Sequence, residues 1–211
     1  CSCGCLFKTP FLEKKQERKR TMLSEIFTSY FEKDAKNLAD FKDMSKLRDL
    51  ILLLVPRVGS RIEVLKLATQ LSVSRETIYN YLSFLEQTYF IFLLPKYSYS
   101  IDRQAAGSKK VFLCDSGMAN ILGRISQGQL FEQSIFQNLH SSHTLTYYSK
   151  EGSSEIDFIA DSVVALEVKF TTSQHDLATL KRRSAGLHIQ ENFVITHQYS
   201  PLSQAIVATD L

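Results

Sequence analysis

Residues 154–170, SEIDFIADSVVALEVKF, alternate apolar and charged side chains on either side of Asp161-Ser162. A period of two fits strands, so two short strands around a turn are expected. Ile156 and Phe158 then share a face with Leu166, Val168 and Phe170, and Glu155, Asp157, Glu167 and Lys169 take the other. Symmetric folding about Ser162 sets Asp157 opposite Glu167 and Glu155 opposite Lys169. A slip of one residue would drive the charges into the core, whereas a slip of two leaves the pattern intact. Opposed carboxylates repel. They persist when one is protonated, when a cation lies between them, or when water screens both. The bland alternative is a solvated hairpin face with Glu155 paired to Lys169.

The chain has 211 residues, 44% of them hydrophobic and 22% charged, enough for a full core in one or two domains. Its longest apolar runs, residues 50–55 and 89–94, are too short to cross a bilayer, so no membrane role is expected. No signal peptide is apparent and the first residue is not methionine, which fits a cytoplasmic fragment lacking its N-terminal part. The net charge of +3 does not by itself predict nucleic-acid binding. Cys1, Cys3 and Cys5 are spaced too tightly for a usual zinc pair, and Cys114 is distant.

A basic run over residues 8–20 leads into a helical pattern of Leu23, Ile26, Phe27, Tyr30 and Phe31. A helix is expected over residues 45–55, stopped by Pro56 and Gly59. Val64, Leu67, Ala68 and Leu71 then mark an amphipathic helix. After a tight link comes a longer one, with Ser74 as N-cap, Glu76 in its first turn, and a stripe of Ile78, Leu82 and Leu85. Two helices so joined form a helix-turn-helix, and strand-like residues 89–94 and 110–114 suit a wing. The second helix exposes Arg75 and Asn80 among the acids Glu76 and Glu86, a poor match to phosphate. Interdomain packing is therefore its expected role. Arg103, Lys109 and Lys110, around a flexible 105–108, are the better phosphate contacts, unless they are simply a solvated loop. Asp115-Ser116-Gly117 signals a turn or helix start.

Residues 130–140 are helical, with Phe131, Ile135, Phe136 and Leu139 on one face and Gln133, Ser134, Gln137 and His140 outside it. Glu132 falls on the apolar face and needs a partner, a proton or a position at the core's edge. Strand 144–149, a turn at 151–153, the hairpin, helix 175–184 with Lys181, Arg182 and Arg183 exposed near its end, and strand 192–196 complete the chain. There is no phosphate-binding GxxxxGK[ST] loop.

Helix with Glu132, strand with Asp157 and strand with Glu167-x-Lys169 resembles the core of the PD-(D/E)xK nuclease-like superfamily. FEKDAKNLADF, LATQLSVSRETIYNYLSFLEQTYFIFLLPKYS, KKVFLCDSGMANIL, FEQSIFQNL, SEIDFIA and ALEVKF further resemble successive landmarks of one family. That family is the C-terminal module of unknown function behind the ATPase domain of many prokaryotic AAA-type ATPases. The resemblance runs from about residue 31 to 170. Ser149-Lys150 stands where the family usually has a Trp-Arg-like pair, and Ile156 replaces the usual proline before the aspartate.

The resemblance implies an α/β (α+β) chain: residues 1–44 a helical remnant behind a missing ATPase domain, 45–122 a winged helix-turn-helix, and 123–211 a restriction-endonuclease-like αβββαβ domain. It implies one Mg²⁺ on Asp157, Glu167 and the Val168 carbonyl, with Glu132 outside or bridging through water and Glu155 behind the ligands. Lys169 would orient or help deprotonate the attacking water. DNA is the implied partner, touched by Arg75, Arg103, Lys109 and Lys110, with the Lys181–Arg183 cluster as a further candidate. ATP belongs only to the upstream ATPase domain, through which oligomers would form. The alternative functions are an inactive nuclease fold that binds nucleic acid, or an interaction scaffold.

Overall fold

In the computed structural model, residues 44–150 and 154–211 are described, together with 17, 18, 21, 22, 25 and 27–29. The terminal cysteines, most of the basic run, Leu23, Ile26, Tyr30, Phe31 and the turn at 151–153 lie outside the described residues. Among the described residues, no helix is long and apolar enough to cross a membrane.

The chain is a mixed α/β structure with helices and two sheets. Helix α1 (Met44–Leu54) tightens into a 3₁₀ turn through Arg57, and α2 (Val64–Leu71) and α3 (Arg75–Gln87) follow. Ser74 caps α3 as expected, its hydroxyl accepting the Thr77 amide at 3.0 Å. Strand β1 (Ile91–Leu94) pairs antiparallel with β2 (Lys110–Leu113). Between them lies α4 (Ile101–Ala106), capped by Ser100, so the first half of the stretch expected to be flexible, residues 105–106, is helical. Asp115 caps α5 (Ser116–Leu122), accepting the Met118 amide at 2.9 Å.

Helix α6 (Gln127–His140) begins in a reciprocal cap between Ser126 and Gln129. Strands β3 (Leu145–Lys150), β4 (Ser154–Ala160) and β5 (Val164–Lys169) form an antiparallel meander. Helix α7 (Gln174–Ala185) crosses to β6 (Glu191–Thr196), which runs parallel to β5. The helix, three strands, helix, strand order is thus the one read from the sequence. A seventh strand, β7 (Ala205–Val207), adds in parallel at the edge. Its three half-buried residues are too short a run for periodicity to detect.

Helix α6 is packed on both sides, because it lies between the two sheets. Its apolar face joins a core to which Phe112, Phe158 and Leu166 also belong, and the Phe112 and Phe136 rings stack at 4.1 Å. Its amides serve the other sheet. Gln133, outside the apolar arc on a helical wheel, is fully buried; its Nε2 donates to the Leu113 carbonyl at 2.7 Å and its Oε1 accepts the Leu113 amide at 2.9 Å. Gly59 and Ser60 satisfy Val111 on the same strand edge, the Gly59 amide donating to the Val111 carbonyl and the Val111 amide to the Ser60 carbonyl. The open edge of β2 is thereby closed by backbone and one glutamine.

The hairpin register is the symmetric one: Phe158 pairs with Leu166, Ile159 with Ala165 and Ala160 with Val164. Asp161 and Ser162 both take positive φ, 51° and 63°, as the tight hairpin turn requires. One expectation fails. Thr146 pairs with Ile159 and Tyr148 with Ile156, so Asp157 and Phe158 together oppose Tyr147 in a β-bulge. The extra residue puts Ile156 in the small core under α7, with Ile159 and Leu177, and leaves Phe158 in the large one. Ile156 and Phe158 therefore do not share a face. Phe170 lies at the margin, 37% exposed, against the rings of Phe131 and His197.

The Gln133 bridge gives a direct test. Gln133→Leu keeps the volume but strands a buried amide and carbonyl of β2, and urea unfolding should show a loss of about 2–4 kcal/mol. A loss below about 0.5 kcal/mol would mean the bridge is not structural.

Candidate functional site

The β4–β5 ladder stops at Phe158–Leu166, although both strands continue. Where they part, Asp157 replaces the missing backbone partner: its Oδ2 accepts the Val168 amide at 2.9 Å. The bulge aims Asp157, and β5 supplies Glu167 and Lys169. Glu132 comes from α6, Glu155 from β4 and Lys110 from β2 of the other sheet.

These groups form two lobes joined by Asp157. In the first, Lys110 Nζ lies 2.6 Å from Glu155 Oε1 and 3.3 Å from Glu132 Oε1, with the Tyr147 ring centroid 5.4 Å away. In the second, Lys169 Nζ lies 3.1 Å from Glu167 Oε1, and Arg183 Nη1 lies 3.7 Å from Glu167 Oε2. Arg183 also donates to the Glu155 carbonyl at 2.6 Å, tying α7 to β4. Access is from the side of Glu155 and Lys169, whose side chains are 47% and 42% exposed.

Burial dominates the electrostatics. It raises Glu132 to about 7 against the opposing pull of Lys110. Glu167 also rises to about 7, from burial first and then from the Asp157 charge, with Lys169 opposing. Asp157 is raised by burial, despite Lys110 and the Val168 amide. The repulsion read from the hairpin is thus met by protons and by nearby ammonium groups. Burial alone would lower Lys110, but Glu132 and Asp157 outweigh it and hold the ammonium above its usual range.

Asp157, Glu167, Lys169 and Glu132 are brought into one electrostatic cluster, as the resemblance implies. Glu155 does not pair with Lys169; its partner is Lys110. Lys110 itself needs correction. Expected among the surface phosphate contacts, it is 2% exposed and ion-paired, with no surface to offer a nucleic-acid backbone. The signal was present: in KVFL, Lys110 shares a strand face with Phe112. Arg183, expected as an exposed base, turns into the cluster. Arg103 and Arg75 are exposed on α4 and α3, and Lys109 is half-buried. Lys109 lines a groove of about 780 Å³ with Tyr79, Asn80, Ser83 and Glu86 of α3, apart from the carboxylates.

No group of three or more His, Cys, Asp or Glu side chains able to hold a metal occurs among the described residues. A two-carboxylate Mg²⁺ site needs fewer, because that ion keeps most of its waters. One observation fits it: Glu167 is 7% exposed, and its Oε2 is buried without a hydrogen-bond partner. Strand geometry turns the Val168 carbonyl to the same edge as its amide, toward Asp157.

The raised acids predict a pH dependence. Between pH 4.5 and about 7, Glu132 and Glu167 keep protons in the folded chain that the unfolded chain has released. Stability is then full below pH 4.5 and falls as pH rises through 7. This window lies above that of Asp161 and Asp176, which hydrogen bonds from His143 and Ser173 hold below the usual carboxylate range. Melting temperature should fall from pH 4.5 to 7.5, and Glu132→Gln with Glu167→Gln should flatten the slope. An unchanged slope in the double variant would assign the dependence elsewhere.

Comparison with known proteins places the chain. The domain of unknown function DUF4143, typical of C-terminal regions associated with AAA-type ATPases, matches residues 127–209. An uncharacterized protein of Haemophilus influenzae is 28% identical over 197 residues, covering 86% of this chain and 48% of its own length. An uncharacterized protein of Methanocaldococcus jannaschii is 27% identical over 152 residues, covering 67% of this chain and 34% of its own. The chain thus spans about half and about a third of the curated relatives it matches. No solved structure matches it. The domain of unknown function DUF8612 matches residues 10–129, more than half of the chain, and the chain belongs to that family.

Proposed function

We propose that the chain is a metal-dependent phosphodiesterase module of the PD-(D/E)xK type, preceded by a winged helix-turn-helix that presents DNA. In the longer proteins it resembles, it would work beside an ATPase domain. The observation that carries the reading is the buried Glu167 oxygen that accepts no hydrogen bond, with Arg183 at 3.7 Å, beside Asp157 at the point where two strands part. Asp157, Glu167 and the Val168 carbonyl would hold a Mg²⁺. When bound, the ion supplies charge stabilisation at the phosphate and a more acidic water.

The chain's own residues do the positioning. Asp157 is fixed by the Val168 amide, and Glu167 is steadied by Lys169 and Arg183. Burial lowers Lys169, but Glu167 and Asp157 outweigh it, so its ammonium is held above the usual range. A lysine that keeps its proton orients the attacking water and neutralises phosphate charge; it is not the base. Of the two roles the motif suggests for Lys169, this one fits the electrostatics. Arg103 and Lys109 remain the proposed DNA contacts outside the cluster, with Arg75 at the start of α3.

A second reading has its own support. Lys110, Lys169 and Arg183 already offset most of the charge on Glu132, Glu155, Asp157 and Glu167, as in a nuclease fold that has kept its shape and lost its activity. Mn²⁺ titration and nicking of supercoiled DNA separate the two. Under the first reading, Asp157→Ala loses both metal binding and at least about 10²-fold in rate, and Lys169→Ala loses rate while keeping the metal. Undiminished metal-dependent nicking by the double variant would remove the cleavage reading.

A further inference from the structure

We infer that the Lys110 ammonium is the resident cation of the Glu132–Glu155 lobe and keeps a divalent ion out of it. Any metal is thereby confined to the Asp157–Glu167 lobe, a confinement that rests on the metal-site reading above. Three observations meet at Nζ. It contacts one oxygen of each acid, at 2.6 and 3.3 Å. The charge of Asp157 reaches it as well. The Tyr147 ring closes another side, and that ring is itself anchored, its hydroxyl donating to the Ser108 carbonyl at 2.8 Å.

The lobe is also confined on the far side of Glu132. An added Cβ at Gly59 would lie 2.8 Å from Glu132 Oε2, so the backbone turn leaves this oxygen little room to swing away from Lys110. Two-metal phosphodiesterase sites place their ions about 3.5–4 Å apart. A divalent ion entering the Lys110 lobe would meet a fixed positive charge in a medium that screens poorly. The blocking group comes from β2, in the other sheet. Metal stoichiometry is then set by how the two halves pack, not by the nuclease-like motif alone.

Mn²⁺ uptake by the whole chain at neutral pH, counted by electron paramagnetic resonance, tests this. Lys110→Met should bind one more ion than the unaltered chain, and Lys110→Met with Glu132→Gln and Glu155→Gln should lose it again. Equal uptake with and without Lys110, or two spin-coupled ions in the unaltered chain, overturns the inference. The two proposals separate in the count. One ion before and one after Lys110→Met keeps the metal site and removes the role of Lys110. None before and one after keeps the role of Lys110 and removes the Asp157–Glu167 metal. If Lys110→Met is unfolded without metal, Mn²⁺ should restore its native circular dichroism, and failure to do so counts against Lys110 as a stand-in for an ion.

Discussion

A buried ammonium group holds the centre of this molecule. Lys110 begins a strand of the smaller sheet and ends among carboxylates from a helix and strand of the other half. Removing the ammonium from such a place leaves its carboxylates uncompensated, at a cost of about 3–5 kcal/mol. The two halves are therefore held in one arrangement by charge as well as by their shared apolar core. Gln133 reinforces the same junction with two hydrogen bonds to β2.

The second constraint is the bulge at Asp157-Phe158. A regular strand would have put Ile156 and Phe158 on one face and served one core. The extra residue serves two, sending Ile156 under α7 and Phe158 against α6. It also frees Asp157 to reach the Val168 amide, so that amide keeps a partner where the strands part. The opening in which one buried Glu167 oxygen accepts no hydrogen bond follows from that local geometry.

Much of this was legible in the residues. The order of elements from α6 to β6, the caps at Ser74 and Asp115 and the apolar face of α6 all follow from local rules of periodicity, capping and turn chemistry; the hairpin register was narrowed by them to slips of an even number of residues. The grouping of Glu132, Asp157, Glu167 and Lys169 came from the resemblance of the motif and the order of elements to a known superfamily. What escaped was nonlocal. Arg183 reads as an exposed base at a helix end, and Gln133 as a solvent-facing polar residue. In each case the partner lies far away in the chain and leaves no mark on the local pattern.

By itself, then, the sequence determined the longer helices and strands and which acids the hairpin carries, because those depend on neighbours a few residues apart. The tertiary structure decided which cation those acids meet. The hairpin suggested Lys169 for Glu155; packing of the two sheets around α6 delivered Lys110 instead. A strand's alternation fixes the face of a side chain but not what is packed against that face. That second fact is set by where the chain returns, and here it turned an expected surface lysine into the charge at the core of the site.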